Sequence, residues 1–173
     1  MAKKRRSSGK KIGILFLIVA AMVGVASYYF YMADKDSAKV FFFKKDGTLD
    51  FVKRHVPNDA KLISFVADEL LAGPSVSEKE SGYFSLIPKS VKILTATKEK
   101  DQIILNFSKE IGLNGAGSTR VDRRLSQIVY TFTEISGVKY VQILVDGEEG
   151  APLGDEGFII EKPLSRTDVS SKI

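Results

Sequence analysis

Leu125-Ser126-Gln127-Ile128-Val129-Tyr130-Thr131-Phe132-Thr133-Glu134, followed two residues later by Gly137-Val138-Lys139-Tyr140-Val141-Gln142-Ile143-Leu144-Val145-Asp146-Gly147, is the stretch on which the fold turns. Extended upstream, its apolar residues Val121, Leu125, Ile128, Val129, Phe132 and Ile135 recur at steps of three and four, while Asp122, Arg123, Ser126, Thr133 and Glu134 fall mainly elsewhere. That spacing predicts a helix with one buried face, capped by Ser118 or Thr119 and stopped at Ser136-Gly137. Burying six such side chains at roughly 1.5 to 3 kcal/mol each contributes on the order of 10 kcal/mol before entropy is subtracted. Tyr140 to Val145 is then a strand, closed by the Asp146-Gly147 turn.

Upstream, Val91–Thr97 and Gln102–Phe107 are β-rich runs joined by a charged tip, Lys98 to Asp101, and predict a hairpin. Before them Leu62, Phe65, Val66 and Leu70 share one helical face, with a polar cap expected in Pro57-Asn58-Asp59 and a stop at Gly73-Pro74. A first hairpin precedes that helix. Its strands are Val40–Phe43 and Leu49–Val56, its turn is Asp46-Gly47, and Leu49 and Phe51, with Val52 less cleanly, form its apolar alternation. Ser75 to Ser90 is a long connection too apolar for a free loop, since it holds Tyr83, Phe84, Leu86, Ile87 and Pro88. The order β-β-α-β-β-α-β predicts an α+β fold: a single sandwich, with a mainly antiparallel or mixed sheet and two helices on one face.

Ahead of this domain, Ile12 to Tyr31 is unbroken by charge and ends in Tyr28, Tyr29, Phe30 and Tyr31, while Lys3, Lys4, Arg5, Arg6, Lys10 and Lys11 stand before it. About 20 helical residues at about 1.5 Å each span a hydrocarbon core of about 30 Å, and basic residues resist translocation. The expected organisation is a cytoplasmic basic leader (1–11), a transmembrane signal anchor (12–32), a polar tether (33–39), an extracytoplasmic domain (40–168) and a frayed end (169–173). The localisation that follows is single-pass in the cytoplasmic (inner) membrane, with the domain outside or in the periplasm. A cleaved secretory signal, with Gly24 and Ala26 as the small residues, is the alternative reading. The absence of Cys excludes both a lipid-anchoring thiol and a disulfide, so the domain stands on its core.

Net charge is +5, but six of the 26 basic side chains precede the apolar run, and removing them leaves 20 against 21 acidic. A near-neutral domain lacks the concentrated basic surface that nucleic-acid binding needs.

Three segments in order, Asp68-Glu69-Leu70-Leu71-Ala72-Gly73-Pro74, Leu125 to Glu134 and Gly137 to Gly147, together resemble the GerMN domain, the sporulation and spore germination module of bacterial envelope proteins. Glu156-Gly157-Phe158 and Pro163-Leu164-Ser165-Arg166 match the closing segment of that family, so the resemblance runs from about Val40 to Asp168. It implies an extracytoplasmic, non-enzymatic domain for envelope or spore assembly, acting through an envelope protein partner, self-association or contact with peptidoglycan. It supplies no catalytic residue and no cofactor. Family members often carry two such domains or a lipid anchor. This chain has one copy behind an apolar segment, which favours a general envelope role.

The residues themselves give little for an enzyme. His55 is the lone histidine, and no repeated His or thiol spacing exists for a transition metal. Glu148, Glu149, Asp155 and Glu156 cluster in a turn-rich stretch, where a solvated surface is the simplest account. One constellation supports binding: Gly112 to Arg120 joins a strand to a helix N-terminus. There Gly115, Gly117, Ser118 and Thr119 could offer backbone N–H groups to an anion, with Arg120 or Arg124 as countercharge.

Overall fold

The computed structural model describes residues 8–35, 37–112, 117–154 and 157–170. Two compact units emerge, Met1–Ser37 and Ala38–Ile173. In the first, a single helix α1 (Ser8–Lys35) carries exposed Ile14, Leu15, Phe16, Leu17 and Met22. Among the described residues no helix is long and apolar enough to cross a membrane. The side chains of α1 are described continuously only over residues 13–25, which at 1.5 Å per residue cover roughly 20 Å, short of a hydrocarbon core of about 30 Å. The expected span over 12–32 is therefore not met by the described part. The side chains of residues 12, 26 and 29–32 that would complete it lie outside the described ones.

The polar tether expected over 33–39 is also corrected, because α1 runs to Lys35 and strand β1 (Ser37–Lys44) begins two residues later. Ala38 is buried and Lys39 pairs with Glu134, so both belong to the sheet itself.

Strand β1 turns into β2 (Leu49–His55) where Asp46 accepts from the Thr48 amide at 2.9 Å and its hydroxyl at 2.7 Å, with Gly47 at φ +90°. Val52, not Phe51, is the buried residue of β2, which reverses the inward face expected from the sequence. Phe51 instead lies against Phe41, ring centroids 5.8 Å apart, on the other side of the sheet.

Helix α2 (Leu62–Ala72) starts after Lys61 with no side-chain cap, so neither Asn58 nor Asp59 serves, and Gly73 ends it at φ +75°. The long connection is structured. It contains helix α3 (Val76–Glu80), opened by a Ser75/Glu78 capping box, and strand β3 (Tyr83–Phe84), which lies antiparallel to β1.

Strands β4 (Ile93–Glu99) and β5 (Gln102–Phe107) form the second hairpin, turning at Lys100-Asp101. A 3₁₀ turn at Lys109–Gly112 leads toward helix α4 (Ser118–Phe132), and β6 (Tyr140–Val145) then returns parallel to β5, from Gln102↔Tyr140 to Phe107↔Val145. A parallel pair needs a crossover, and α4 supplies it. Helix α5 (Arg166–Ser170) closes the described chain, and its Val169 is only 3% exposed, so residue 169 is core rather than frayed; residues 171–173 lie outside the described part.

The α+β class holds, but the sandwich contains two sheets, β2-β1-β3 and β4-β5-β6, where one was expected. The physical reason is α4. Its apolar residues share one core cluster with Ile103, Leu105, Val141 and Ile143 of the second sheet. Its polar residues fasten the first sheet: Thr131 Oγ1 accepts from the Phe41 amide at 3.0 Å, and Arg123 donates to the Gly47 carbonyl at 2.8 Å while covering the Phe43 ring. Ser126, Gln127 and Thr131 are thus fully buried, each hydrogen-bonded, where a polar outer face was expected. The cap differs too: Gly117 occupies that position and no side chain caps the helix.

Candidate functional site

The Gly-rich start of α4 is only partly a site. Gly115 falls within residues 113–116, outside the described chain. Gly117, Ser118, Thr119 and Arg120 follow one another at the helix start, with Gly117, Thr119 and Arg120 exposed, and the Arg120 amide already donates to the Gly117 carbonyl at 2.9 Å. Arg124 is turned away from them. It is 3% exposed, its Nε donates to the Leu86 carbonyl at 3.0 Å and its Nη1 to the Ile111 carbonyl. Burial pushes its guanidinium pKa down, with Arg120 one turn away adding to the effect. An arginine so engaged ties the Leu86 and Ile111 segments to α4 and offers no countercharge to a ligand at the loop.

His55 is exposed at the end of β2, and Glu148 and Glu149 are exposed in the turn after β6. Asp155 and Glu156 lie outside the described residues, among which no three metal-ligating side chains gather.

Two surface features were not read from the sequence. The first is the outer face of the second sheet. Ile103, Leu105, Phe107, Val141 and Ile143 face the core, so the register places Thr95, Thr97 and Glu99 of β4, Gln102, Ile104 and Asn106 of β5, and Tyr140, Gln142 and Leu144 of β6 on the other side. Only Glu99 among these nine is charged. The β4 side and Tyr140 are exposed, the middle is half-buried and Gln142 is buried, while Asn106 is held by the Gly147 amide at 2.8 Å.

The second is a groove of about 410 Å³ where the start of α2 meets β4 and the chain after α4. Leu62, Ile63, Ala96 and Ile135 make its apolar lining, Ser64 and Ser136 contribute hydroxyls, and Lys61 and Lys98 flank it. Lys98 Nζ donates to the Ser136 carbonyl at 3.1 Å, which steadies the ammonium at the rim. A signal for this groove was present in the adjacent apolar residues Leu62 and Ile63 at the head of α2, of which Leu62 is exposed, but only the fold brings them to β4.

Elsewhere charge serves architecture. Arg54 of β2 donates through Nε to Glu69 at 2.6 Å and through both terminal nitrogens to Glu78 at 2.6 and 2.7 Å, joining α2, α3 and the first sheet. The Arg54 bonds hold the Glu78 carboxyl at a pKa of about 2, with the Ser75 amide at 2.8 Å contributing. Lys39 and Arg166 both pair with Glu134 at 2.6 Å, and Arg166 lies over Tyr130. Tyr130 is accordingly a packing residue between α4 and α5.

The comparisons agree with this architecture. A protein from Clostridium perfringens solved as "Putative Lipoprotein" is similar over 78% of this chain and 91% of its own, at 26% identity and a TM-score of 0.56. The tandem GerMN domains of the sporulation protein GerM from Bacillus subtilis match at 24% identity and a TM-score of 0.58, over 75% of this chain and 45% of theirs. The first GerMN domain of the same protein matches at 18% identity and 0.61, over 76% and 98%, a likeness of fold alone. No curated protein sequence matches the chain significantly. The family described as Germane, Sporulation and spore germination, matches residues 29–151, most of the chain, and by that match together with the shared fold this protein belongs to the Germane (GerMN) family.

Proposed function

We propose that this chain is a non-enzymatic interaction module that α1 holds at the outer side of the cytoplasmic membrane, where its GerMN domain docks another envelope protein during envelope or spore assembly. The observation that carries the reading is the outer face of the second sheet, nine residues with a single charge, anchored by a core that needs none of them. Desolvating such a face on docking costs little compared with stripping water from charged groups, and a near-neutral sheet face suits a protein better than a small anion. The membrane part rests on the exposed apolar side chains of α1 and on the uncharged sequence from Ile12 to Tyr31 that continues them.

Contact with peptidoglycan through the loop before α4 is the weaker reading, because Arg124 is committed to the Leu86 and Ile111 carbonyls.

The test is photo-crosslinking in cells with a benzophenone amino acid at Ile104 or Tyr140 of the full-length chain, with Glu80 on α3 as the control position. A discrete protein adduct at both face positions and none at Glu80 is expected. Loss of the face-specific adduct, or adducts only with cell-wall fragments, overturns the reading. Alkaline extraction of membranes checks the anchor: the intact chain stays in the membrane pellet, and its release into the supernatant would refute membrane insertion.

A further inference from the structure

We infer that the groove between β4 and the head of α2 receives an extended, acidic segment of the partner, which joins the second sheet as a fourth strand beside β4. The inference rests on the interaction-module reading and names the chemistry of what is docked.

Two independent observations meet here. The first is topological: β4 is the end strand of its sheet, seven residues long, paired with β5 on one side, and five of those residues are exposed. An end strand presents a row of backbone donors and acceptors that an added strand satisfies. Natural edges are usually blunted, and this one is protected by the register shift between Ile93 and Thr95 and by the charge of Lys98, which a partner must neutralise; from Ala96 onward the ladder to β5 is regular through Glu99.

The second observation is chemical. Ala96 and Lys98 stand opposite Leu105 and Ile103 in the ladder, so both point to the side of the sheet on which α2 lies, into the apolar groove. A strand laid along β4 would send alternate side chains into the same groove, over Leu62, Ile63 and Ile135. The groove is flanked by two cations, Lys61 and Lys98, and has no acidic side chain in its lining; the first turn of α2 has none either. The nearest acids of the hairpin are directed elsewhere: Glu99 belongs to the outer face opposite Gln102, and Asp101 pairs with Lys139 at 3.5 Å. Because only alternate side chains reach the groove, apolar lining between two ammonium groups selects a segment whose groove-facing positions are apolar in the middle and acidic at the ends, and it disfavours a basic one.

The probe is a fluorescein-labelled seven-residue peptide with glutamate at positions one and seven, valine at three and five and threonine between, so that glutamate and valine share one face; it is titrated against the full chain in uncharged detergent micelles at low salt and read by fluorescence anisotropy. Two control peptides have lysine in place of glutamate, or N-methyl groups on alternate amides that remove the strand-pairing donors. The glutamate peptide is expected to bind, at least tenfold more tightly than either control, and the double variant Lys61→Glu/Lys98→Glu should weaken it at least tenfold. Both lysines are exposed, and the bond lost, from Lys98 to the Ser136 carbonyl, is itself exposed, so the melting temperature should fall by no more than a few degrees, and measuring it guards against misfolding. Failure of the glutamate peptide to bind, equal binding of the lysine or N-methylated peptide, or full binding by a folded double variant overturns the inference. If that happens while the crosslinks at Ile104 and Tyr140 survive, the groove is wrong and the module reading stands; if those crosslinks fail as well, both fall.

Discussion

Replacing Arg124 by Met separates a structural arginine from a ligand-binding one. Methionine keeps the apolar bulk of the side chain and deletes the guanidinium, leaving the carbonyls of Leu86 and Ile111 without their donor. Ile111 is 1% exposed, so its carbonyl is stranded in a place water does not reach, at a cost of about 1–3 kcal/mol. Leu86 is half-buried and can recover part of its loss from solvent. Removing a buried charge returns something, because the guanidinium is desolvated in the native state, but charge-assisted bonds to two carbonyls offset that penalty as long as they are intact. The balance is a loss of about 2–4 kcal/mol, which for a domain of this size lowers the melting temperature by roughly 6–12 °C. The same change at exposed Arg120 should stay within about 0.5 kcal/mol. With no Trp in the chain, the assay is near-ultraviolet circular dichroism of the tyrosines, Tyr83, Tyr130 and Tyr140 in the domain, during thermal melting of the detergent-solubilised protein. Near-native stability of Arg124→Met, or equal damage from Arg120→Met, would refute the assignment of Arg124 to the interior and return it to the loop as a countercharge.

Other expectations follow from the same packing. Phe132, fully buried in the common core, should cost about 3–5 kcal/mol as Phe132→Ala, and Ile128→Asp should leave no cooperative melting transition at all. Thr131→Val removes the acceptor of the Phe41 amide with almost no change in shape, so a loss of about 1–3 kcal/mol in urea unfolding is expected, and an unchanged midpoint would deny that bond any role. Glu78 is a carboxylate whose folded pKa, about 2, lies below its unfolded value of 4.5. Its contribution is therefore complete above about pH 5 and fades as pH falls toward 2; Glu78→Gln should flatten the stability profile across that window, and an identical acid limb in both proteins would count against the Arg54 pairing. Val169→Asp should destabilise the domain by several kcal/mol if α5 is part of the core, whereas a frayed end would tolerate it.

The elements built on strong periodicity were legible. Strands β5 and β6 fall where the apolar runs place them, β4 lies two residues later than expected and takes in Lys98 and Glu99 of the expected tip, and every apolar residue assigned to the buried face within α4 is buried. What failed was the inference from one apolar stripe to one covered face. Ser126, Gln127 and Thr131 look like solvent residues by type, yet each meets a hydrogen-bond partner that is remote in sequence or one turn back, and type alone does not reveal that partner. The division into two sheets escaped the sequence for a related reason. Strand β3 is two residues long, too short for any alternation to show, and its place is set by pairing with Phe43 and Lys44 about forty residues earlier. Caps were misassigned because residue preference is a weak guide when the true cap is a backbone position: Lys61 and Gly117 both begin helices without lending a side chain.

The site shows the same division between local and assembled information. Gly117, Ser118, Thr119 and Arg120 are contiguous, so sequence could propose them as a unit, and their neighbour Arg124, one turn further on, seemed to complete it. The fold divides that unit, since the rotation of α4 that buries Val121 and Leu125 also carries Arg124 inward to the Leu86 and Ile111 carbonyls. The sheet face and the groove have the opposite character. Thr97 and Ile104 meet within one hairpin, but Gln142 joins them only through the α4 crossover, and Leu62 and Ile135 are more than seventy positions apart, so no local pattern marks the whole surface. A surface whose chemistry exists only after assembly is what a docking module requires: its partner then recognises the folded domain and not the unfolded chain, and each contact it makes adds to the stability of the fold that presents it.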